Sequence, residues 1–429
     1  MDIKNDCHNI KILYWRKILI LTCEANNNMK LNKTKIIFFI LVLVILIILM
    51  IIFGRKWSEY LQTDSRIFQK NDNETYILKK DKHEKAPKKL KNVMDKKNPV
   101  YKDINNYLKA TNFNGTATVF ENGKVKLDKG YGFKNFENGE KNSANTMYLI
   151  GSSQKFTTGL MLKQLEVENK VNINDPVTKY LPWFKTSKEI TLKDLMLHES
   201  GLHKYEASTN IKNLDQAVKS IQQKGIDDKF YHKHQYNDGN YLVLAKVIEK
   251  VTHKPYVENY YSRLANPYKL KHSAFFDEKV YQKYMARGYK INHNKFSLMH
   301  PKILDQYYGA GNLYMAPHDM GQLILALQHY KIFDADVTNP LLHEFGTKQY
   351  PKEYRYGFYV TPTMNRVNGV FFGQKFTVYY NDKYIVILAS NLTVEGEKAD
   401  ETNENKMKHV FYDMLHQKKQ YNVPGIQVK

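Results

Sequence analysis

The sequence predicts an α+β domain in which strands from both ends of the chain form one antiparallel sheet and the middle supplies helices. Two hairpins and two helical periods carry that prediction. Residues 116–120 and 124–127 are runs of β-formers joined through Glu121, Asn122 and Gly123. An Asn-Gly pair supplies the positive φ angles that a two-residue hairpin turn demands. Residues 376–380 and 384–388 repeat the pattern around Asn381, Asp382 and Lys383. Between the hairpins, 156–168 and 241–251 return apolar residues every three or four positions, the period of a helix with a buried face. Asp175 and Pro176 open a further helix.

The chain has 429 residues, 42% hydrophobic and 25% charged, enough apolar material for a real core, and wholesale disorder is excluded. Lys and Arg number 65 against 43 Asp and Glu, a formal +22 that calls for a polyanionic partner or surface: nucleic acid, anionic lipid or an anionic wall polymer. Residues 36–53 are an unbroken apolar run, preceded by Lys30, Lys33 and Lys35 and followed by Gly54, Arg55 and Lys56. At about 1.5 Å per residue the run spans most of a bilayer's hydrocarbon core, and with no small-residue cleavage site after it a retained anchor is favoured over a removed signal. The short tail 1–35 is expected inside the cell and the bulk of the chain outside. Met29 opens a conventional export segment, so 1–28 are left out of the fold. Cys7 and Cys23 both precede the anchor, which excludes a disulfide framework outside. Residues 54–100 are polar and lysine-rich and read as a solvated extracellular linker, with a clamp on phosphate as the second reading. Export, and the lack of any recognition module, removes nucleic acid as a partner. The globular domain is expected over 101–420.

Chemistry concentrates at Ser152-Ser153-Gln154-Lys155, a Ser-x-x-Lys motif ahead of the first long helix. Three residues is close to one helical turn, so the Ser152 hydroxyl and the Lys155 amine share a face. A serine hydroxyl attacks only when something takes its proton, and a lysine does so only when burial or nearby positive charge keeps it neutral. The free amide of Ser152 at a helix start can also hold an oxyanion.

The context of that motif resembles a known superfamily. Residues 147–157, 173–182 (Ile-Asn-Asp-Pro-Val-Thr-Lys-Tyr-Leu-Pro) and 190–202 (ending His198-Glu199-Ser200-Gly201-Leu202), then Tyr236-Asn237-Asp238 and Gly309-Ala310-Gly311-Asn312, are similar in order and spacing to the serine β-lactamases, penicillin-binding proteins and related esterases, on their class C-like branch. The resemblance covers roughly 103–416. It implies the β-lactamase/transpeptidase-like fold, an antiparallel sheet flanked by helices plus a helical lobe. It also implies Ser152 as nucleophile, Lys155 as its proton acceptor and Tyr236 as the partner that relays the proton, the amine and phenol titrating as a unit with depressed pKa values. No metal and no cofactor are expected, and β-lactams are implied as ligands. With the anchor and basic linker, the motifs are more narrowly similar to wall enzymes that remove D-alanine from teichoic acids, so teichoic acid is the expected polyanion.

Two departures from the superfamily pattern bear on substrate. The third residue of the Tyr-x-Asn element is Asp238, and a carboxylate cannot donate the hydrogen bond that an asparagine gives to an acylamino carbonyl. The Lys-Thr-Gly motif is nowhere intact: its place falls at Val367-Asn368-Gly369 or at Phe371-Phe372-Gly373-Gln374, with Gly369, Val370 and Gly373 as candidates near the oxyanion and Lys375 as a substitute for the lost base. A pocket that loses a carboxylate anchor and gains an anion suits an alanyl ester, which carries an ammonium and no carboxylate. Asp238 is therefore expected to meet the alanyl ammonium. The rival expectation is a low-affinity penicillin-binding protein with DD-carboxypeptidase activity on peptidoglycan. His198, Ser200 and Gly201 are read as fold residues, and His232 and His234 as an exposed loop pair. Tyr307, Tyr308, Tyr354, Tyr356, Phe358 and Tyr359 are read as core or cleft wall.

Overall fold

A computed structural model describes residues 87–292, 295–395 and 402–417. The expected anchor at 36–53 and most of the linker lie outside the described residues. Among the described residues no helix is long and apolar enough to cross a membrane.

The main sheet has eight strands: β1 (Val93–Met94), β2 (Gly115–Glu121), β3 (Lys124–Tyr131), β4 (Tyr354–Arg355), β5 (Phe358–Val360), β6 (Asn365–Phe371), β7 (Gln374–Tyr380) and β8 (Tyr384–Ser390). Their order is β1-β3-β2-β8-β7-β6-β5-β4, antiparallel throughout. Both predicted hairpins are present. Asn122 (φ 48°) and Gly123 (φ 74°) take left-handed angles in the first turn, the conformation that lets two residues reverse the chain. Asn381 builds the second by accepting the Lys383 and Tyr384 amides through its side chain at 3.0 and 2.8 Å. The chain ends meet where β2 pairs with β8, from Gly115 opposite Ser390 to Glu121 opposite Tyr384.

Strand alternation sends side chains to two cores. Phe120, Val367, Phe376, Val378, Ile385 and Ile387 pack on the face that carries helix α2 (Gln154–Val167), helix α3 (Asp238–Thr252) and helix α4 (Pro317–Gln328). Ala117, Val119, Tyr379, Val386 and Leu388 face helix α1 (Pro99–Ala110) and the C-terminal turns that begin with α5 (Asn403–Lys408). Although 156–168 reads as amphipathic, α2 is buried at every position from Gln154 to Lys163, because it runs between the sheet and the helical lobe.

The linker expected to reach residue 100 ends earlier. Tyr284 donates its hydroxyl to the Pro87 carbonyl at 3.3 Å, Leu90 and Asn145 exchange two hydrogen bonds, and β1 pairs Val93 with Asp128 and Met94 with Leu127. An open edge on β3 is a physical reason for this strap, since its backbone groups need partners. Helix α1 then starts at Pro99, capped by the Asn98 side chain.

A buried acid cluster sits at the start of α4. Asp128 accepts from the Thr118 hydroxyl at 2.9 Å and lies 3.0 Å from His318 Nδ1. Asp319 accepts the His272 amide at 2.6 Å. Burial raises the Asp128 carboxyl and pushes Asp319 up to about 7. Burial opposes charge on His318, but the Asp128 carboxylate outweighs it and raises the imidazole. All three groups hold protons more tightly folded than unfolded, so stability falls as pH rises through this range. For Asp319 the window runs from 3.8, its ordinary value, to about 7. Asp319→Asn keeps an acceptor for the His272 amide, and urea unfolding is expected to show a smaller loss of stability between pH 4.5 and 8 than in the unaltered protein. An unchanged pH dependence would refute the assignment.

Candidate active site

Residues Gly151–Ser153 form a single 3₁₀ turn that runs directly into α2, so Ser152 and Lys155 stand one turn apart. Lys155 Nζ is 3.1 Å from Ser152 Oγ and 2.6 Å from Asp238 Oδ1. The lysine is 1% exposed, whereas the Asp238 side chain is 29% exposed. Asp238 is the first residue of α3, where a negative charge meets the positive end of the helix. Its position is set by Asn237, which caps the helix: Oδ1 accepts the Gly239 and Tyr205 amides, and Nδ2 donates to the Leu202 and His203 carbonyls.

Burial works against a charged Lys155, but the Asp238 carboxylate, and after it Tyr236, reverse that and hold the amine above its ordinary range. The 2.6 Å ion pair with Asp238 therefore favours the ammonium form of Lys155 in the resting site. The expectation of an uncharged amine with a depressed pKa is thus corrected, and the cause is a carboxylate 83 residues away in the chain. Tyr236 is 40% exposed, with its ring centre 4.9 Å from Lys155 Nζ.

Behind Tyr236 lies His198, ring to ring at 4.4 Å. His198 is buried, and burial followed by the Lys155 charge pushes its imidazole well below its ordinary range, so the ring is neutral. Asn240 Nδ2 and the Asn237 amide donate to Nδ1 at 3.0 and 3.3 Å, which leaves the proton on Nε2, 3.2 Å from the Tyr354 hydroxyl. Ser200 donates to Asn240 Oδ1 at 2.6 Å. His198 and Ser200 read as fold residues from sequence; the structure adds that His198 backs a predicted site residue. The shared partner Asn240 is what the His-x-Ser spacing encodes. Gln154, inside the Ser-x-x-Lys motif, is a residue that sequence reasoning misses. Its buried amide clamps Asn312, donating to Oδ1 at 3.1 Å and accepting the Asn312 and Leu313 amides at 2.6 and 3.1 Å. That ties the start of α2 to the glycine-rich segment.

Strand β6 runs against the Ser152 turn. A Cβ on Gly369 would lie 2.0 Å from the Ile150 carbonyl oxygen and 2.7 Å from the Ser153 nitrogen, so the approach requires glycine. The Val370 nitrogen also comes close to Gly151, 3.2 Å from where a Cβ on Gly151 would lie. Val367, one of the two positions to which the sequence assigns the superfamily's basic residue, is fully buried.

A sequence profile of the β-lactamase family matches residues 102–411. The chain belongs to the β-lactamase family. It is 58% identical over 404 residues, 94% of this chain and 100% of the relative, to the teichoic acid D-alanine hydrolase of Staphylococcus aureus. The crystal structure of FmtA from Staphylococcus aureus superposes with a TM-score of 0.77 at 62% identity, covering 80% of this chain and 94% of that one. A penicillin-binding protein from Bacillus halodurans shares the fold at a TM-score of 0.62 and 19% identity, over 72% of this chain and 98% of its own.

Within this β-lactamase-family domain, Ser152, Lys155, Tyr236 and Asp238 converge, and Gly369 and Val370 border the same turn. Two candidates do not join them. Gly373 (φ 76°) follows Phe372 (φ 43°) in the β6–β7 turn, and its neighbours are backbone atoms of Tyr289. Lys375 alternates in step with Thr377 and Tyr379, whose side chains bond Asn403 and Glu404 of α5, so it lies on the face of the sheet opposite α2. Nearness in sequence therefore does not make Lys375 a substitute base. His232 is exposed and 3.3 Å from Asp194. Among the described residues no group of three or more His, Cys, Asp or Glu side chains could hold a metal ion.

Proposed function

We propose that this protein is a serine esterase that releases D-alanine from teichoic acid, acting outside a membrane to which residues 36–53 anchor it. Ser152 is the nucleophile, Lys155 accepts its proton, and Tyr236 relays that proton towards the leaving polyol oxygen. The Ser152 and Val370 amides hold the oxyanion of the tetrahedral intermediate, with Gly369 providing the close approach. The excess of 65 cationic over 43 anionic residues suits a phosphate polymer.

The observation that carries this reading is Asp238, a carboxylate 2.6 Å from Lys155 where the superfamily's neutral amide would donate to an acylamino carbonyl. Together with an apolar, buried Val367 in place of a base, it favours a substrate with a free ammonium and no carboxylate. The relative at 58% identity, named for D-alanine hydrolysis from teichoic acid, supports the same substrate.

The test is D-alanine release by the full-length protein from purified D-alanylated teichoic acid and from a peptidoglycan pentapeptide. Release from the polymer at no less than about 100 times the peptide rate is expected, the scale of discrimination that a mismatched polar anchor produces. Release from the pentapeptide alone would replace the esterase by a carboxypeptidase.

A further inference from the structure

The resting site poses a chemical problem. Lys155 donates from its ammonium to Ser152 Oγ at 3.1 Å, so its nitrogen has no lone pair with which to take the serine proton. The cause is the ion pair with Asp238 at 2.6 Å. Yet the two partners differ in access: the lysine is enclosed, while the carboxylate is reachable from solvent. The other groups around Lys155 do not hold its charge to the same degree. Tyr236 holds it less strongly than Asp238, His198 is neutral, and the rings of Tyr241, Tyr307 and Tyr359 are phenols.

We infer that the substrate's own α-ammonium switches the site on, by pairing with Asp238 and so releasing Lys155 from the carboxylate that keeps it protonated. This rests on the esterase reading above. An ester carbonyl carbon seated at Ser152 Oγ carries its ammonium two bonds away, and Ser152 Oγ and the Asp238 carboxylate are both neighbours of one nitrogen, so both ends of an alanyl group find partners at once. A second cation beside Asp238 repels the lysine charge, and burial, which acts on Lys155 against its charge, then meets only the weaker opposition of Tyr236.

Lys155 passes one proton to solvent when the ammonium arrives. Its free electron pair then takes the Ser152 proton as the Oγ–carbonyl carbon bond forms. The ester carbon–oxygen bond breaks, and the departing polyol oxygen takes that proton back from Lys155 through the Tyr236 hydroxyl. Water reverses the sequence: its oxygen bonds to the acyl carbon while Lys155 takes its proton, the carbon–Oγ bond breaks, and Ser152 regains a proton. Alanine is the product. An ester whose nitrogen is acylated brings no charge to Asp238 and leaves the lysine an ammonium, so selectivity for free-amine esters arises from the acid–base state of the site as well as from contact.

The experiment compares D-alanyl glycerol phosphate with its N-acetyl counterpart, reading kcat/KM against pH with the full-length protein. The free-amine ester should be at least about 10-fold faster at pH 7, with its acidic limb at least about one pH unit lower, since one unit of pKa is a factor of ten. Its rate should fall again once the ester's own ammonium deprotonates, while the N-acetyl ester should keep rising. In Asp238→Asn, the N-acetyl ester should gain about 10-fold and the two acidic limbs should coincide. Coincident limbs in the unaltered protein, or no gain for the N-acetyl ester in Asp238→Asn, would overturn the switch. Loss of the esterase reading looks different: Ser152→Ala would then hydrolyse both esters undiminished and no acyl adduct would form on Ser152.

Discussion

Ser152→Ala is expected to lower D-alanine release by about 10⁴–10⁶-fold, the scale on which a nucleophile removed from a concerted group is missed. The fold should not notice. The Ser152 side chain touches Lys155, and Lys155 keeps Asp238 as a partner when the hydroxyl is gone. A thermal midpoint within about 2 °C of the unaltered protein is therefore expected, since substitutions that open no cavity and strand no buried partner cost little. The neighbouring serine is the control. Ser153 is fully buried and donates to the Phe376 carbonyl at 3.3 Å, so Ser153→Ala should lose about 1 kcal/mol of stability while retaining activity within a few fold. Mass spectrometry after a serine-directed fluorophosphonate should find the adduct on Ser152 in the unaltered protein and in Ser153→Ala, and none in Ser152→Ala. An adduct on Ser153, or full turnover without Ser152, would end the assignment.

The second large effect is expected from one methyl group. Gly369→Ala puts a Cβ 2.0 Å from the Ile150 carbonyl oxygen, backbone against backbone, so either β6 or the Ser152 turn must shift. Overpacking of this kind costs about 1–3 kcal/mol of stability. The catalytic cost should be larger in proportion, about 10²-fold in kcat/KM, because a displacement near 1 Å separates Ser152 from the Val370 amide. Gly373→Ala provides the contrast. It strains a left-handed turn at about 1–2 kcal/mol and brings a Cβ to 2.7 Å from the Tyr289 carbonyl oxygen, yet the atoms it crowds are those of Tyr289 and not of the Ser152 turn, so activity measured below the melting range should change by less than about threefold. If Gly369→Ala melted lower but turned over normally, β6 would have a role in packing and none in the oxyanion site.

Local signals made much of this molecule readable from its sequence. The Asn122-Gly123 turn states its own geometry, and the three-residue spacing of Ser152 and Lys155 is a consequence of helix pitch. The state of charge of Lys155 was not readable, because it depends on Asp238, and no local pattern announces an 83-residue contact. The same holds for His198, whose ring contacts with Tyr236 and Tyr241 around the start of α3 and with Tyr354 on β4 come from two distant segments. Lys375 is a different kind of miss. The alternation that buries Phe376 towards α2 already sends its neighbour to the other face, so the strand pattern contained the answer. Val93–Met94 is too short to show any period, which is why the strap reads as linker.

The strap also decides how the domain meets a mechanical load. A pull arriving along the chain ahead of residue 87 is met first by the Tyr284 hydroxyl, next by the Leu90–Asn145 pair, and then by the two residues of β1 on β3. These links follow one another along the chain, so a pull from that end loads them in turn. Strand β1 is five places from β6 in the sheet, about 24 Å at the usual strand spacing. Peeling thus begins at one rim of the sheet, five strands away from the strand beside which Ser152 sits.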